Sequence, residues 1–371
     1  MTAQRELGQI PGDLYGKHAH EPALSLMTMV APRLPSMAGL VVRATHVKSE
    51  PVVDRQLVVC ERTLVACEDD VVSLVLEATD QSTLPRWWPG AHIELHLSSG
   101  LVRHYSLCGT PADRYHYRIA VRRVPGGVGS AEIHQTLLPG ARVKIRGPRN
   151  AFPLAITKPT THSRPTRSQH FRFAAGGIGI TPILPMLHCC NERQLDWSLI
   201  YTGRSRQSMA FLDELERFGD RVTVRSDDID GIPLASQIVG DLQNGDALYC
   251  CGPSTMIQAA TAELSIHPQV QFHYERFGRA PIVGGNVFDI ELSRTGQVLR
   301  VPANQSVLDI VRQARPNVPY SCQQGFCGTC RTRLLAGEIE HNNHPPAPWH
   351  HDDEVLICVS RSSGERLVLD L

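Results

Sequence analysis

The sharpest chemical signal in the chain is a set of four cysteines. Cys322, Cys327 and Cys330 follow the spacing C-x4-C-x2-C, and Cys358 comes after twenty-seven intervening residues. A [2Fe–2S] cluster needs four thiolates, two on each iron, and this loop spacing is that of plant-type ferredoxins. One loop can supply three ligands only if its backbone wraps closely, which Gly325 and Gly328 permit. Structural zinc is the rival reading, but zinc sites take separated cysteine pairs. A Rieske centre is excluded, because no C-x-H is followed by a C-x-x-H. His341, His344, His350 and His351 read as loop residues between the third and fourth ligands.

A one-electron cluster cannot accept a hydride, so a two-electron donor requires an intermediate carrier such as a flavin. The run Arg103-His104-Tyr105-Ser106-Leu107 could hold one. On a strand, Arg103 and Tyr105 share a face, one toward a phosphate and one along a ring, with Ser106 at the ring edge. Gly126-Gly127-Val128-Gly129-Ser130 then leads into a helix whose free amides suit a phosphate, with Ser130 expected at the cap.

Residues 171–181 read FRFAAGGIGIT, a strand running into a glycine turn and a helix. Gly176, Gly177 and Gly179 would let the backbone approach a pyrophosphate, although Pro182 replaces the third glycine of the usual dinucleotide fingerprint. Cys250-Cys251-Gly252-Pro253 ends a second strand of the same sheet and would bring Cys251 and Gly252 near the nicotinamide. The strand ending Tyr201-Thr202-Gly203-Arg204-Ser205-Arg206 offers no acid for a ribose hydroxyl. By the general rule, Arg204 and its neighbour lean toward a 2′-phosphate.

These segments need elements to position them. The 371 residues predict two or three domains. Zero formal net charge, from 37 basic and 37 acidic residues, disfavours nucleic-acid binding. No apolar run reaches membrane-spanning length and no signal peptide is evident, so the expected location is the cytoplasm. There the eleven cysteines suggest metal or redox chemistry before disulfides. Cys60, Cys67, Cys108, Cys189, Cys190 and Cys250 read as small core or strand residues.

Residues 1–51 read as an N-terminal extension with room for one short helix. Residues 52–153 carry strand signals at 71–78, 91–97 and 117–124, with Pro-Gly turns between them and one helix over 130–138. That pattern predicts a small antiparallel β-barrel. From 154 to 274, a polar connection (154–169) leads into alternating strands and helices, which predicts an α/β parallel sheet. A Gly-rich linker (275–286) precedes an α+β unit at 287–371, made of a hairpin, a helix, the cysteine loop and short strands.

The chain resembles the phthalate dioxygenase reductase family, which includes the vanillate demethylase reductases. The resemblance runs over about 52–371 and rests on RHYSLC, VRRVPGGVGSAEIH, GPRNAFPL, AAGGIGITPILPM, YTGRSR, YCCGPSTM, ERF and the cysteine loop, in that order. It implies a flavin β-barrel, a nucleotide α/β domain and a C-terminal plant-type ferredoxin domain. It implies FMN at Arg103, Tyr105 and Ser106, with Gly129 and Ser130 near its phosphate. Thr181 and Cys251 would face the nicotinamide, and Phe277 would lie near the flavin. It also implies NADH, against the general lean of Arg204 toward NADPH. Electrons would pass from NADH through FMN and the [2Fe–2S] cluster to a Rieske-type oxygenase; a cytochrome P450 partner is the alternative. A ferredoxin-like shuttle with no hydride chemistry of its own is a further alternative.

Overall fold

The computed structural model describes residues 53–68, 70–156, 169–278, 282, 285–316, 318–320, 323, 328–340 and 353–371. The expected N-terminal extension, most of the connection at 154–169, Cys322, Cys327 and the four loop histidines lie outside the described residues. The chain forms two compact units, Met1–Phe277 and Gly278–Leu371.

The first unit opens with β1 (Val53–Ala66), β2 (Val71–Ala78), β3 (Ala91–His96), β4 (Val102–Ser106), β5 (His116–Arg122), α1 (Val128–Thr136) and β6 (Arg142–Asn150). The strands make one antiparallel sheet in the order β4-β3-β6-β1-β2-β5. After β4, the amide of Cys108 donates to the carbonyl of Arg118 on β5 at 2.8 Å, which draws the two edges together into a barrel. Alternate residues fill it: Leu57 and Val59, Leu74 and Leu76, Ile93 and Leu95, Tyr117, Ile119 and Val121, Val143 and Ile145. Ile133 of α1 and Leu137, which caps its C-terminus, pack into the same core. The long β1 went unread in the sequence because a bulge at Cys60 interrupts its pairing, between the Val59–Leu76 and Glu61–Val75 partners.

The same unit continues with β7 (His170–Gly176), α2 (Ile180–Glu192), β8 (Asp196–Gly203), α3 (Leu212–Glu216), β9 (Val222–Ser226), α4 (Asp227–Asp230), α5 (Ala235–Val239), β10 (Ala247–Cys251), α6 (Ser254–Leu264) and β11 (Gln271–Glu275). All neighbours are parallel, in the order β11-β10-β7-β8-β9. The order reverses between β7 and β10, the position where open α/β sheets bind nucleotides. The helix α3 starts only at Leu212, because Phe211 before it takes a left-handed conformation (φ 64°). Barrel and parallel sheet share a core: Ala66, Val71, Cys108, Ala120 and Phe152 pack with Phe171, Phe173, Ile183 and Leu187. Arg118 of β5 reinforces this with a 2.7 Å ion pair to Glu214 on α3 and lies 4.8 Å over the Phe211 ring.

The second unit holds β12 (Phe288–Leu292), β13 (Gln297–Val301), α7 (Val307–Ala314), β14 (Arg331–Ala336), β15 (Ile339–Glu340), β16 (Glu354–Leu356), β17 (Arg361–Ser362) and β18 (Arg366–Leu369). The main sheet runs β13-β12-β18-β14-β16, with β12 and β18 parallel. A capping box starts α7: Ser306 Oγ accepts from the Asp309 amide at 3.2 Å, and the Asp309 carboxylate accepts from the Ser306 amide at 3.1 Å. Arg361 is 1% exposed. It donates to the carbonyls of Gln305 (2.6 Å), Pro302 (3.0 Å) and Asn286, tying the loop before α7 and the segment before β12 to β17.

Candidate functional site

The two barrel motifs meet in space. Arg103 and Tyr105 pair with Leu95 and Ile93 across β3 and β4, so they share one face. A Cβ placed on Gly129 would stand 2.8 Å from Arg103 Nε and 3.3 Å from its Cζ. The guanidinium therefore lies against the first turn of α1, and only glycine leaves it room. The N-cap of α1 is Gly127, which has no side chain to offer. Ser130 is not the cap expected from the sequence. Its hydroxyl donates to the Gly127 carbonyl (3.1 Å) and accepts from the Val124 amide (3.0 Å), which pins the glycine turn. A guanidinium beside the uncapped amides of a helix start is a donor set that fits a flavin phosphate.

The nucleotide segments also converge. The turns after β7 and β10 pack backbone to backbone. A Cβ on Gly179 would fall 2.1 Å from the Cys251 carbonyl oxygen, and one on Gly252 would fall 3.1 Å from Gly176 Cα. Gly177 takes φ +52° with open space beyond it, leaving its backbone accessible to a ligand. The Tyr201 hydroxyl lies 3.1 Å from the Gly177 carbonyl and 3.2 Å from that of Ala210, so β8 supports the turn. Pro182 fits the first turn of α2, where its missing amide would have had no partner. Thr181 and Cys251 are buried, at 3% and 0% exposure. The Thr181 hydroxyl donates to the Ile178 carbonyl (3.0 Å), so it braces the turn from inside. Arg204 is exposed at the end of β8, and Phe277 is 45% exposed.

Ser106 ends β4 and Glu275 ends β11, and their side chains meet: Ser106 Oγ donates to Glu275 Oε2 at 3.5 Å. Glu275 also pairs in register with Cys251. Burial pushes the Glu275 carboxyl up to about 8, against a smaller downward pull from the Ser106 hydroxyl. Burial, with Glu275 beside it, pushes the Cys251 thiol well up, so it stays protonated. A carboxyl that changes charge near neutrality thus sits at the seam of barrel and sheet. Glu275 ends β11 at the point where the Gly-rich linker begins, so its sequence neighbours give no sign of a site apart from the ERF run.

In the second unit, Cys330 and Cys358 are buried, 3% and 7% exposed, at the edge of the apolar core. Gly328 (φ +68°) shapes the end of the cysteine loop, where its carbonyl accepts from the Arg331 amide at 3.1 Å. Two buried thiols fit the thiolate set of a [2Fe–2S] cluster. Cys108, Cys189, Cys190 and Cys250 are buried as expected, but Cys60 and Cys67 are exposed. Cys60 stands on the outward side of its bulge, and Cys67 lies in the turn that follows β1.

Residues 56–153 match the family model of the oxidoreductase FAD-binding domain, and residues 290–363 match that of the 2Fe-2S iron-sulfur cluster binding domain. Fold and site thus define an oxidoreductase that joins a flavin-binding barrel, a nucleotide-type parallel sheet and a [2Fe–2S] domain for electron transfer. Over 317 residues the chain is 38% identical to a vanillate O-demethylase oxidoreductase of Pseudomonas putida, covering 81% of this chain and 96% of that one. The solved structure of phthalate dioxygenase reductase aligns with TM-score 0.60 and 31% identity over 86% of this chain and 98% of that one. An intact type IV self-sufficient cytochrome P450 monooxygenase aligns with TM-score 0.61 and 31% identity, over 86% of this chain but 41% of that one. The chain belongs to the phthalate dioxygenase reductase family, whose members are reductase components of oxygenase systems. Among the described residues, no helix is long and apolar enough to cross a membrane.

Proposed function

We propose that the protein is an NADH-dependent reductase that carries FMN and one [2Fe–2S] cluster and supplies a Rieske-type oxygenase with electrons. When bound, the flavin supplies the conversion of a two-electron hydride into single electrons, and the cluster their export. The observation that carries the reading is the bridging position of β4. Arg103, at one end, meets the glycine-opened helix, and Ser106, at the other, meets Glu275 at the edge of the nucleotide sheet.

In this reading Arg103 and the amides around Gly129 and Ser130 hold the FMN phosphate. Tyr105 lines the ring, and Phe277 lies beside it. Ser106 presents its hydroxyl at the reactive edge, where Glu275 Oε2 accepts its hydrogen bond. Gly176, Gly177, Gly179 and Gly252 let backbone approach the nucleotide. Thr181 and Cys251 make the wall behind it, which excludes water. Hydride transfer needs positioning more than acid–base help, so these contacts carry the catalysis. Cys322, Cys327, Cys330 and Cys358 ligate the cluster. FMN in place of FAD follows from the resemblance to the family.

One feature supports NADH over NADPH. The Asp228 amide donates to the Arg204 carbonyl at 3.1 Å, so the exposed acids Asp227 and Asp228 flank the loop expected to meet the adenosine ribose. Their negative field opposes a 2′-phosphate. A cytochrome P450 partner is the second reading, favoured by the likeness to the self-sufficient P450.

Chromatography of acid-released flavin, together with the visible spectrum before and after NADH, tests the reading. FMN, cluster absorption and rapid bleaching by NADH are expected; a colourless protein or one that NADH leaves unbleached overturns it. Reconstitution with a Rieske oxygenase or with a P450 separates the two partners.

A further inference from the structure

The outer face of the barrel carries a cluster that the electron-transfer function does not use. Cys60 on β1, Glu77 on β2 and His116 on β5 stand on three adjacent strands, and their ligand atoms all lie within 4.8 Å of one another. Glu77 and His116 are direct cross-strand partners, with Nε2 and Oε2 3.8 Å apart. Ligand atoms around a tetrahedral zinc are separated by about 3.4–3.7 Å, given its bond lengths. The bulge in β1 turns Cys60 outward beside this pair, as bulges commonly re-aim a side chain. Asp113, in the turn before β5, lies 2.9 Å from His116 Nδ1 and also accepts the amides of Tyr115 (2.8 Å) and His116 (3.1 Å). An anchored carboxylate on the far nitrogen is the arrangement that orients a metal-ligating histidine and leaves Nε2 free to coordinate. The Cys60 thiol donates at 3.2 Å to the Val75 carbonyl, a bond that a thiolate–metal bond would replace. With 41% of the His116 and 39% of the Glu77 side chain exposed, an ion and a water can enter.

We propose that Cys60, Glu77 and His116 form a zinc site on the outer face of the barrel, with Asp113 as the positioning residue and water in the fourth position. Sulfur, nitrogen and oxygen together suit a borderline-soft divalent ion and argue against calcium or magnesium. Binding releases the thiol proton to solvent. The bound ion joins β1, β2 and β5 across two ladders, so occupancy stabilises the barrel by linkage.

The test is equilibrium dialysis of Zn2+ against the full-length, cluster-loaded flavoprotein under reducing, chelator-cleared conditions, followed by zinc X-ray absorption. One zinc per chain beyond background is expected, with a shell of one sulfur and the remainder nitrogen or oxygen. Affinity should fall at least tenfold in Cys60→Ser and in His116→Ala. In Asp113→Asn it should fall about tenfold, as expected when an outer partner is lost. Cys67→Ser, which removes the other exposed cysteine of the barrel segment, should bind as wild type does. Zn2+ should raise the flavin-release temperature of the wild type and of Glu61→Gln, but not that of Cys60→Ser. Equal binding by wild type, Cys60→Ser and His116→Ala overturns the proposal. So does an all-sulfur shell, which would put the zinc in the C-terminal cysteine loop.

Discussion

Glu275 shows how one residue changes meaning with its surroundings. As a linker carboxylate it would be charged at any neutral pH; half-buried beside Ser106, its carboxyl is pushed up to about 8. Because the folded-state value lies above the unfolded one, the native state binds the extra proton between about pH 4.5 and 8. The stability tied to this group is therefore fully present at acid pH and is lost as pH rises through that window. Thermal melts of Glu275→Gln should lack the decline, so the variant gains on wild type from about pH 5 to about pH 8. NADH–ferricyanide rates should fall above about pH 8 in the wild type and respond less to pH in the variant. Arg103 argues similarly for Gly129. In Gly129→Ala the new methyl displaces a flexible side chain, not backbone, so the melting temperature should hardly move. Flavin affinity should drop about tenfold, equivalent to about 1.4 kcal/mol. Unchanged flavin retention would count against the phosphate cradle.

At the scale of elements, the turns that end β7 and β10 make a single construction. Gly179 has rigid backbone 2.1 Å from its missing Cβ, whereas Gly177 has open space and only a positive φ. Gly179→Ala should cost about 1–3 kcal/mol in stability, and nicotinamide-dependent activity should fall with it. Gly177→Ala should cost about 1 kcal/mol, the ordinary penalty of a left-handed alanine. Urea denaturation of the two variants, with flavin fluorescence as the readout, checks the order. A reversed order would mean the two turns do not pack as described.

For the whole molecule, the two units differ in what holds them. The first shares one core between barrel and sheet. The second depends on Arg361, a buried guanidinium with three carbonyl partners, whose own charge burial disfavours. Beside the second unit's own apolar core, Arg361 anchors its loops, so Arg361→Ala should destabilise that unit by about 2–4 kcal/mol through the orphaned carbonyls. Cluster absorption should then bleach at lower temperature while flavin release stays in place. Simultaneous loss of both signals would show that the units unfold as one. Cys330→Ser should abolish electron transfer to cytochrome c but leave NADH–ferricyanide activity intact.

Spacing alone carried the [2Fe–2S] reading, the glycine turns and the alternation of strand and helix. Those features follow from local rules: a ligand loop must wrap its cluster, a pyrophosphate needs bare backbone, and side-chain periods of two and 3.6 reveal the buried face. The bulge at Cys60, the start of α3 after Phe211 and the role of Ser130 in pinning its turn were not legible, because each depends on what the neighbouring backbone does. Only the tertiary structure brought together Arg103 with Gly129, Ser106 with Glu275, and Cys60 with Glu77 and His116. These residues are far apart in the chain or lie on different strands, so their contact depends on sheet order and strand register. Those are properties of the folded core, which no local stretch of sequence records.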